Sequence, residues 1–140
     1  MNLLINQSCL IGPDGKPVDS GPRIALVGLD DIIQGELDPA QALADVPEEM
    51  YTILLTHSPD AADDPRLHGQ FMFAGHTHGG QIRLLGHIIR TETRNRRYGA
   101  GLVQGPKFPL YITRGLGING LPFRLDCPPE LVKVTLRSGG

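Results

Sequence analysis

Phe73-Ala74-Gly75-His76-Thr77-His78-Gly79-Gly80-Gln81 decides how this chain is read. An apolar, strand-like run from Gln70 to Ala74 stops at a glycine and is followed by two histidines one residue apart; two further glycines then let the backbone turn. In an extended stretch, residues i and i+2 point to one side, about 6–7 Å apart. That spacing suits two imidazoles that each grip a different ion of a two-metal centre, whose ions lie about 3.5–4 Å apart. The bland alternative is a glycine-rich turn with incidental histidines. The flanking strand, the Gly-Gly-Gln tail and a further histidine upstream weigh against it.

That upstream histidine is His57, which ends the run Tyr51-Thr52-Ile53-Leu54-Leu55-Thr56-His57-Ser58-Pro59-Asp60. The apolar and β-branched pattern is that of a buried strand, and Pro59 prevents its continuation. Ends of adjacent strands in an α/β sheet are where sites are built. Alone, His57 would be read as a hydrogen-bonded structural histidine. Beside a second strand that also ends in histidines, it becomes a candidate ligand, so His57, His76 and His78 form the candidate metal set.

Leu55-Thr56-His57-Ser58-Pro59-Asp60, followed by Ala74-Gly75-His76-Thr77-His78-Gly79-Gly80-Gln81-Ile82, resembles the last two metal motifs of the calcineurin-like metallophosphoesterases. The resemblance is greatest to a bacterial branch of phosphodiesterases and UDP-diacylglucosamine pyrophosphatases. It extends to Leu3-Leu4-Ile5-Asn6 and Val27-Gly28-Leu29-Asp30-Asp31 near the start. It also takes in Leu110–Gly117, Pro122-Phe123-Arg124 and Pro128-Pro129-Glu130-Leu131, and so covers nearly the whole chain. Family members carry three earlier motifs, Asp-x-His, Gly-Asp-x-x-Asp and Gly-Asn-His-Asp/Glu. None occurs here, and no histidine precedes His57. The expectation is therefore that residues 1–140 are the C-terminal portion of such a domain, from a truncated or split reading frame or a misplaced start.

The resemblance implies an α/β fold, the C-terminal half of a four-layer αββα sandwich with mixed β-sheets. It implies two divalent ions (Mn, Fe or Zn), one held partly by His78 and the other partly by His57 and His76, with carboxylates from a missing N-terminal half completing both shells. It further implies hydrolysis of a phosphomonoester, phosphodiester or pyrophosphate, in which a water activated between two cations attacks phosphorus. This chain alone is expected to be inactive. The contrasting reading is a non-catalytic metal- or protein-binding module on the same scaffold.

Length and composition agree with a fragment. A chain of 140 residues can form one domain with a core, but 40% apolar and 5% aromatic content is lean for it. Gly 18 and Pro 12 indicate a loop-rich α/β chain, and a net charge of −2 argues against general nucleic-acid affinity. Cys9 and Cys127 lack metal-pair spacing and read as reduced, packed thiols. No apolar run approaches the ~18 residues of a membrane span. No signal-peptide pattern opens the chain, so the expected location is cytoplasmic, although a parent protein could be membrane-associated.

Strands are expected at Leu3–Asn6 and Ser8–Ile11 (one strand or a tight pair), Arg23–Leu29, Tyr51–Thr56, Gln70–Ala74, Leu110–Arg114 and Leu131–Leu136, the last from its apolar alternation. Gly12-Pro13-Asp14-Gly15 is a turn signal. Pro39–Val46 reads as a short helix with Asp38 as its cap and Pro39 in the first helical position, and Pro59–Leu67 as a short helix or turn. Arg90, Arg94, Arg96 and Arg97 could meet phosphate but read better as a solvated loop. Asp30-Asp31 reads as a loop or cap feature, His68 and His87 as surface residues, and Gly115-Leu116-Gly117 as a turn, with Arg114 before it a candidate for the cleft.

Overall fold

Runs rich in Ile, Leu, Val and Phe condense into strands because their side chains can be buried on alternating faces of a pleated surface. The computed structural model of the chain describes residues 3–89 and 93–137. Its strands are β1 (Gln7–Ile11), β2 (Ile24–Gly28), β3 (Thr52–Leu55), β4 (Phe71–Ala74), β5 (Arg83–Leu84), β6 (His87–Ile88), β7 (Gly101–Gln104) and β8 (Pro109–Ile112). Six of them form one mixed sheet in the order β1-β2-β3-β4-β8-β7, while β5 and β6 form a separate hairpin. Neighbours among β2, β3, β4 and β8 run parallel, and β1 and β7 close the edges antiparallel.

The register sorts the side chains. Val27 lies opposite Leu54, Leu54 opposite Met72, and Met72 opposite Leu110, all on one face and all fully buried. Ala25, Ala74 and Ile112 extend the same face. It is covered by α1 (Pro39–Leu43) and the 3-10 turn Pro59–Asp63, through Ala42, Leu43, Ala61 and Ala62, with Leu67, Tyr98 and Phe108 filling in. The opposite face carries Leu26, Leu55, Phe71, Phe73 and Tyr111, all half-buried, and Leu102, which is 70% exposed.

The helix begins where the Asp-Pro pair places it. The Asp38 carboxylate accepts from Gln41 N–H at 3.1 Å, and Pro39, which has no N–H to leave unpaired, takes the first position. It is shorter than Pro39–Val46. Ala44 and Val46 donate to residues three back rather than four, so the last turn tightens and ends. The expected Pro59–Leu67 helix or turn is a 3-10 turn over Pro59–Asp63.

Two expected strands are corrected. Leu3–Asn6 is not a strand; Asn6 has φ 47° and turns its buried side chain to the loop after β2. Leu131–Leu136 has no regular structure and is exposed, with Leu131 at 86%. Alternation is a local pattern, whereas a strand needs a neighbour for its ladder, and no described strand pairs with this segment. Conversely, β7 and the β5–β6 hairpin were not anticipated. The hairpin turns at Leu85 (φ 51°) and Gly86 (φ 80°), the left-handed pair that matches strand twist in a two-residue turn.

A candidate metal site at the strand ends

The C-terminal ends of β3 and β4 lie side by side, and the ladder continues beyond them. Thr56 N–H donates to Phe73 O, and Gly75 N–H donates to His57 O, both at 3.0 Å. This continuation places His57 and His76, each two residues past its strand, face to face. His57 Nε2 stands 3.0 Å from His76 Nδ1, with the rings edge-on at 73°. Two imidazole nitrogens this close can share a proton. They can equally turn two lone pairs on one cation, since ligands at about 2.0–2.1 Å from zinc sit roughly 3.0–3.4 Å from each other. The other nitrogen of His76, Nε2, is buried without a hydrogen-bond partner among the described residues. Such a group costs about 1–3 kcal/mol when left unpaired.

The turn that follows departs from the extended geometry expected for it. His76 (φ 67°) and His78 (φ 50°) are both left-handed, Thr77 is right-handed helical, and His78–Gly80 forms a 3-10 turn. The two histidines therefore do not project side by side as on a strand. Non-glycine residues held in this region cost of order 1–3 kcal/mol each and concentrate at functional sites. Glycine is required immediately afterwards. A Cβ on Gly79 would lie 2.5 Å from Arg114 Cγ, and one on Gly80 2.4 Å from Ile88 Cγ2.

His78 is set by the tail. Its Nδ1 is 3.2 Å from Gly117 O. A carbonyl only accepts, so Nδ1 carries the proton and Nε2 keeps its lone pair, the tautomer a ligating imidazole needs. Gly117 is held by Arg124, whose guanidinium donates to the carbonyls of Gly117 (2.5 Å from Nη2), Arg114 (2.7 Å) and His78 (3.0 Å). Gln81 anchors the same segment. Its Nε2 reaches the carbonyls of Asn119, Leu121 and Phe123 at 2.9–3.2 Å, and its Oε1 accepts from Asn119 N–H at 2.6 Å. Beside the turn a cavity of about 320 Å³ opens, lined by His76, Thr77, His78, Gln81, Ile82 and Leu121 among others.

The structure thus brings His57 and His76 together and leaves His78 in its own setting. Among the described residues no group of three or more His, Cys, Asp or Glu side chains forms a metal-ligand arrangement. The donors fit a divalent ion all the same: two facing imidazole nitrogens, and a third imidazole with a fixed tautomer. Asp30 behaves as a loop cap, because backbone hydrogen bonds from Glu36 and Asp31 hold its carboxyl below the usual range. Asp31 does not fit that reading alone, for its Oδ2 lies 3.9 Å from His57 Nε2.

Arg114, a candidate for the cleft, is paired with Glu130 at 2.6 Å. The buried Asp60 accepts from the N–H groups of Arg94 and Asn95, and Arg90 lies outside the described residues. His68 and His87 are exposed. Cys9 and Cys127 are free thiols, the latter buried with Sγ 3.3 Å from His78 O. Among the described residues no helix is long and apolar enough to cross a membrane.

Comparison with known proteins points one way. The chain is 38% identical over 124 residues to an uncharacterized metallophosphoesterase, YkuE, of Bacillus subtilis, a match covering 84% of this chain and 42% of that protein. It is 33% identical over 144 residues to the phosphodiesterase YaeI of Escherichia coli, covering 97% and 47%. With the UDP-2,3-diacylglucosamine pyrophosphatase LpxG of Chlamydia trachomatis it shares 33% over 121 residues, covering 77% and 36%. The chain spans less than half the length of each of these relatives. No family profile and no solved structure matches it. With several relatives of one kind aligned along most of its length, and with His57 and His76 facing each other at the ends of adjacent parallel strands, the chain belongs to the metallophosphoesterase family.

Proposed function

We propose that this chain supplies the histidine side of a two-metal phosphoesterase centre. The observation that carries the reading is the facing pair His57 Nε2 and His76 Nδ1 at 3.0 Å, at the ends of adjacent parallel strands. These two would hold one divalent ion, and His78 Nε2 would contribute to the other. Such ions lower the pKa of bound water and neutralise charge on phosphoryl oxygens. The donor set suits Mn, Fe or Zn. This chain's own part is to present neutral imidazoles, fix the His78 tautomer through Gly117 and shape the adjoining cavity.

Carboxylates that complete the centre would come from a preceding N-terminal half, and residues 1–140 would be the C-terminal portion of a four-layer sandwich. The half-exposed face bearing Leu26, Leu55, Phe71 and Phe73 supports this, since it is apolar enough to take a second sheet. The substrate is a phosphomonoester, phosphodiester or pyrophosphate, the last two in keeping with the Escherichia phosphodiesterase and the Chlamydia pyrophosphatase.

The test is a chimera in which this chain replaces the matched segment of the Escherichia coli phosphodiesterase. It should hydrolyse bis(p-nitrophenyl) phosphate with Mn²⁺ and lose that activity on His76→Ala/His78→Ala substitution, while the 140-residue chain alone stays inactive. A folded chimera with no turnover would contradict the proposal.

A further inference from the structure

The loop after β2 is built more firmly than a surface connection requires. Asn6, buried and held at φ 47°, donates from Nδ2 to Glu36 O at 2.7 Å. Its Oδ1 accepts from Asp30 N–H at 3.0 Å and Asp38 N–H at 3.3 Å. Asp30 in turn accepts from Asp31 N–H and Glu36 N–H through its two oxygens, and Gly35 N–H donates to Asp31 O. Gly35 has room only for hydrogen, because a Cβ there would lie 2.3 Å from the Asp30 carboxylate.

This scaffold fixes one side chain. Asp31 spends Oδ1 on Ile33 N–H at 2.6 Å, an Asx turn, and its Oδ2 faces His57 Nε2 at 3.9 Å. His57 Nε2 is the same atom that stands 3.0 Å from His76 Nδ1. Gly28 pairs with Leu55, and Leu55 with Phe73, so the three side chains come from the ends of three adjacent parallel strands.

We infer that Asp31 is a carboxylate of the metal site, supplying a negative oxygen to the ion that His57 and His76 hold. Two imidazoles alone bring no charge to a dication. A carboxylate on the same side of the sheet lowers the cost of taking that ion out of water, and hard oxygen donors extend the range of metals the pair can bind. The inference rests on the proposed metal site and adds a residue to it.

The Asx turn makes the test clean. Asp31→Asn keeps the Oδ1 acceptor and removes the charge. Zn²⁺ titration calorimetry of the 140-residue chain and of the Asp31→Asn and His57→Ala variants reads affinity directly, with thermal melts to confirm folding. Asp31→Asn should weaken Zn²⁺ binding by about tenfold or more, the size of loss typical when a metal site loses a supporting carboxylate. If His57→Ala weakens binding but Asp31→Asn matches wild type, the Asp31 assignment is wrong and the histidine site survives. If wild type binds no Zn²⁺, or binds it as well without His57, both fall.

Discussion

His57 and His76 stand two residues beyond β3 and β4, where the backbone ladder runs on through Thr56 to Phe73 and through Gly75 to His57. His78 comes only two residues later and is held differently. Its ring leans on the carbonyl of Gly117, which belongs to a tail fastened by the side chains of Arg124, Gln81 and Glu130. The first pair inherits its geometry from sheet register, which fails only if the sheet fails. The third histidine inherits its geometry from charge and hydrogen bonds, which one substitution can release. One half of the candidate centre is therefore robust and the other adjustable.

The largest expected effect comes from cutting the tail's anchor. Gln81→Ala removes four contacts made by one buried amide. A loss of about 2–3 kcal/mol is expected, confined to the 115–127 segment. Limited proteolysis should cut there first, while hydrogen exchange in β2, β3 and β4 stays slow. If the strands lose protection together with the tail, the two regions are not separate.

A smaller, pH-dependent effect sharpens the same contrast. Burial pushes the Glu130 carboxyl up, but hydrogen bonds from the Tyr111 hydroxyl (2.7 Å) and Arg114 Nε (2.6 Å) outweigh it and leave it below its ordinary 4.5. A depressed carboxyl contributes stability that is complete above the ordinary value and is lost as pH falls through the folded one. Acidification below about pH 4.5 should thus loosen the tail and shift the His78 ring resonances, with less change at His57. In Glu130→Gln the acid-induced step should vanish. A step that persists in that variant would place its origin elsewhere.

How much of this was legible in the sequence follows the same division. β2, β3 and β4 were readable because each is an apolar run with a glycine or proline at or soon after its end, and α1 because Asp38-Pro39 fixes its start. His57, His76 and His78 were singled out by residue type and spacing. Their relative placement was not readable, because it depends on which strands pair. That is why Asp31, three residues past β2, read as a loop residue although it lies 3.9 Å from His57. The left-handed turn at His76 and His78 was missed because an extended backbone is the default after a strand. The roles of Gln81 and Arg124 depend on contacts about 40 residues apart in the chain. Leu131–Leu136 misled for the converse reason, having the alternation of a strand and no described partner to pair with.

The smallest effect is a control on the remote side of the sheet. Asp38→Ala removes the cap that accepts from Gln41 N–H and should cost about 1 kcal/mol, lowering the melting temperature by about 3 °C. Zn²⁺ affinity should not change. A change in affinity would mean that the loop after β2 relays strain from α1 to the strand ends.

The central claim, that sheet register makes His57 and His76 one ligand pair, is tested most directly by an anomalous difference map from crystals of this chain grown with Zn²⁺. A peak bonded to both His57 Nε2 and His76 Nδ1 is expected, at about 2.0–2.1 Å from each. Peaks confined to the exposed His68 or His87, with the His57 and His76 nitrogens still facing each other and no ion between them, would contradict it.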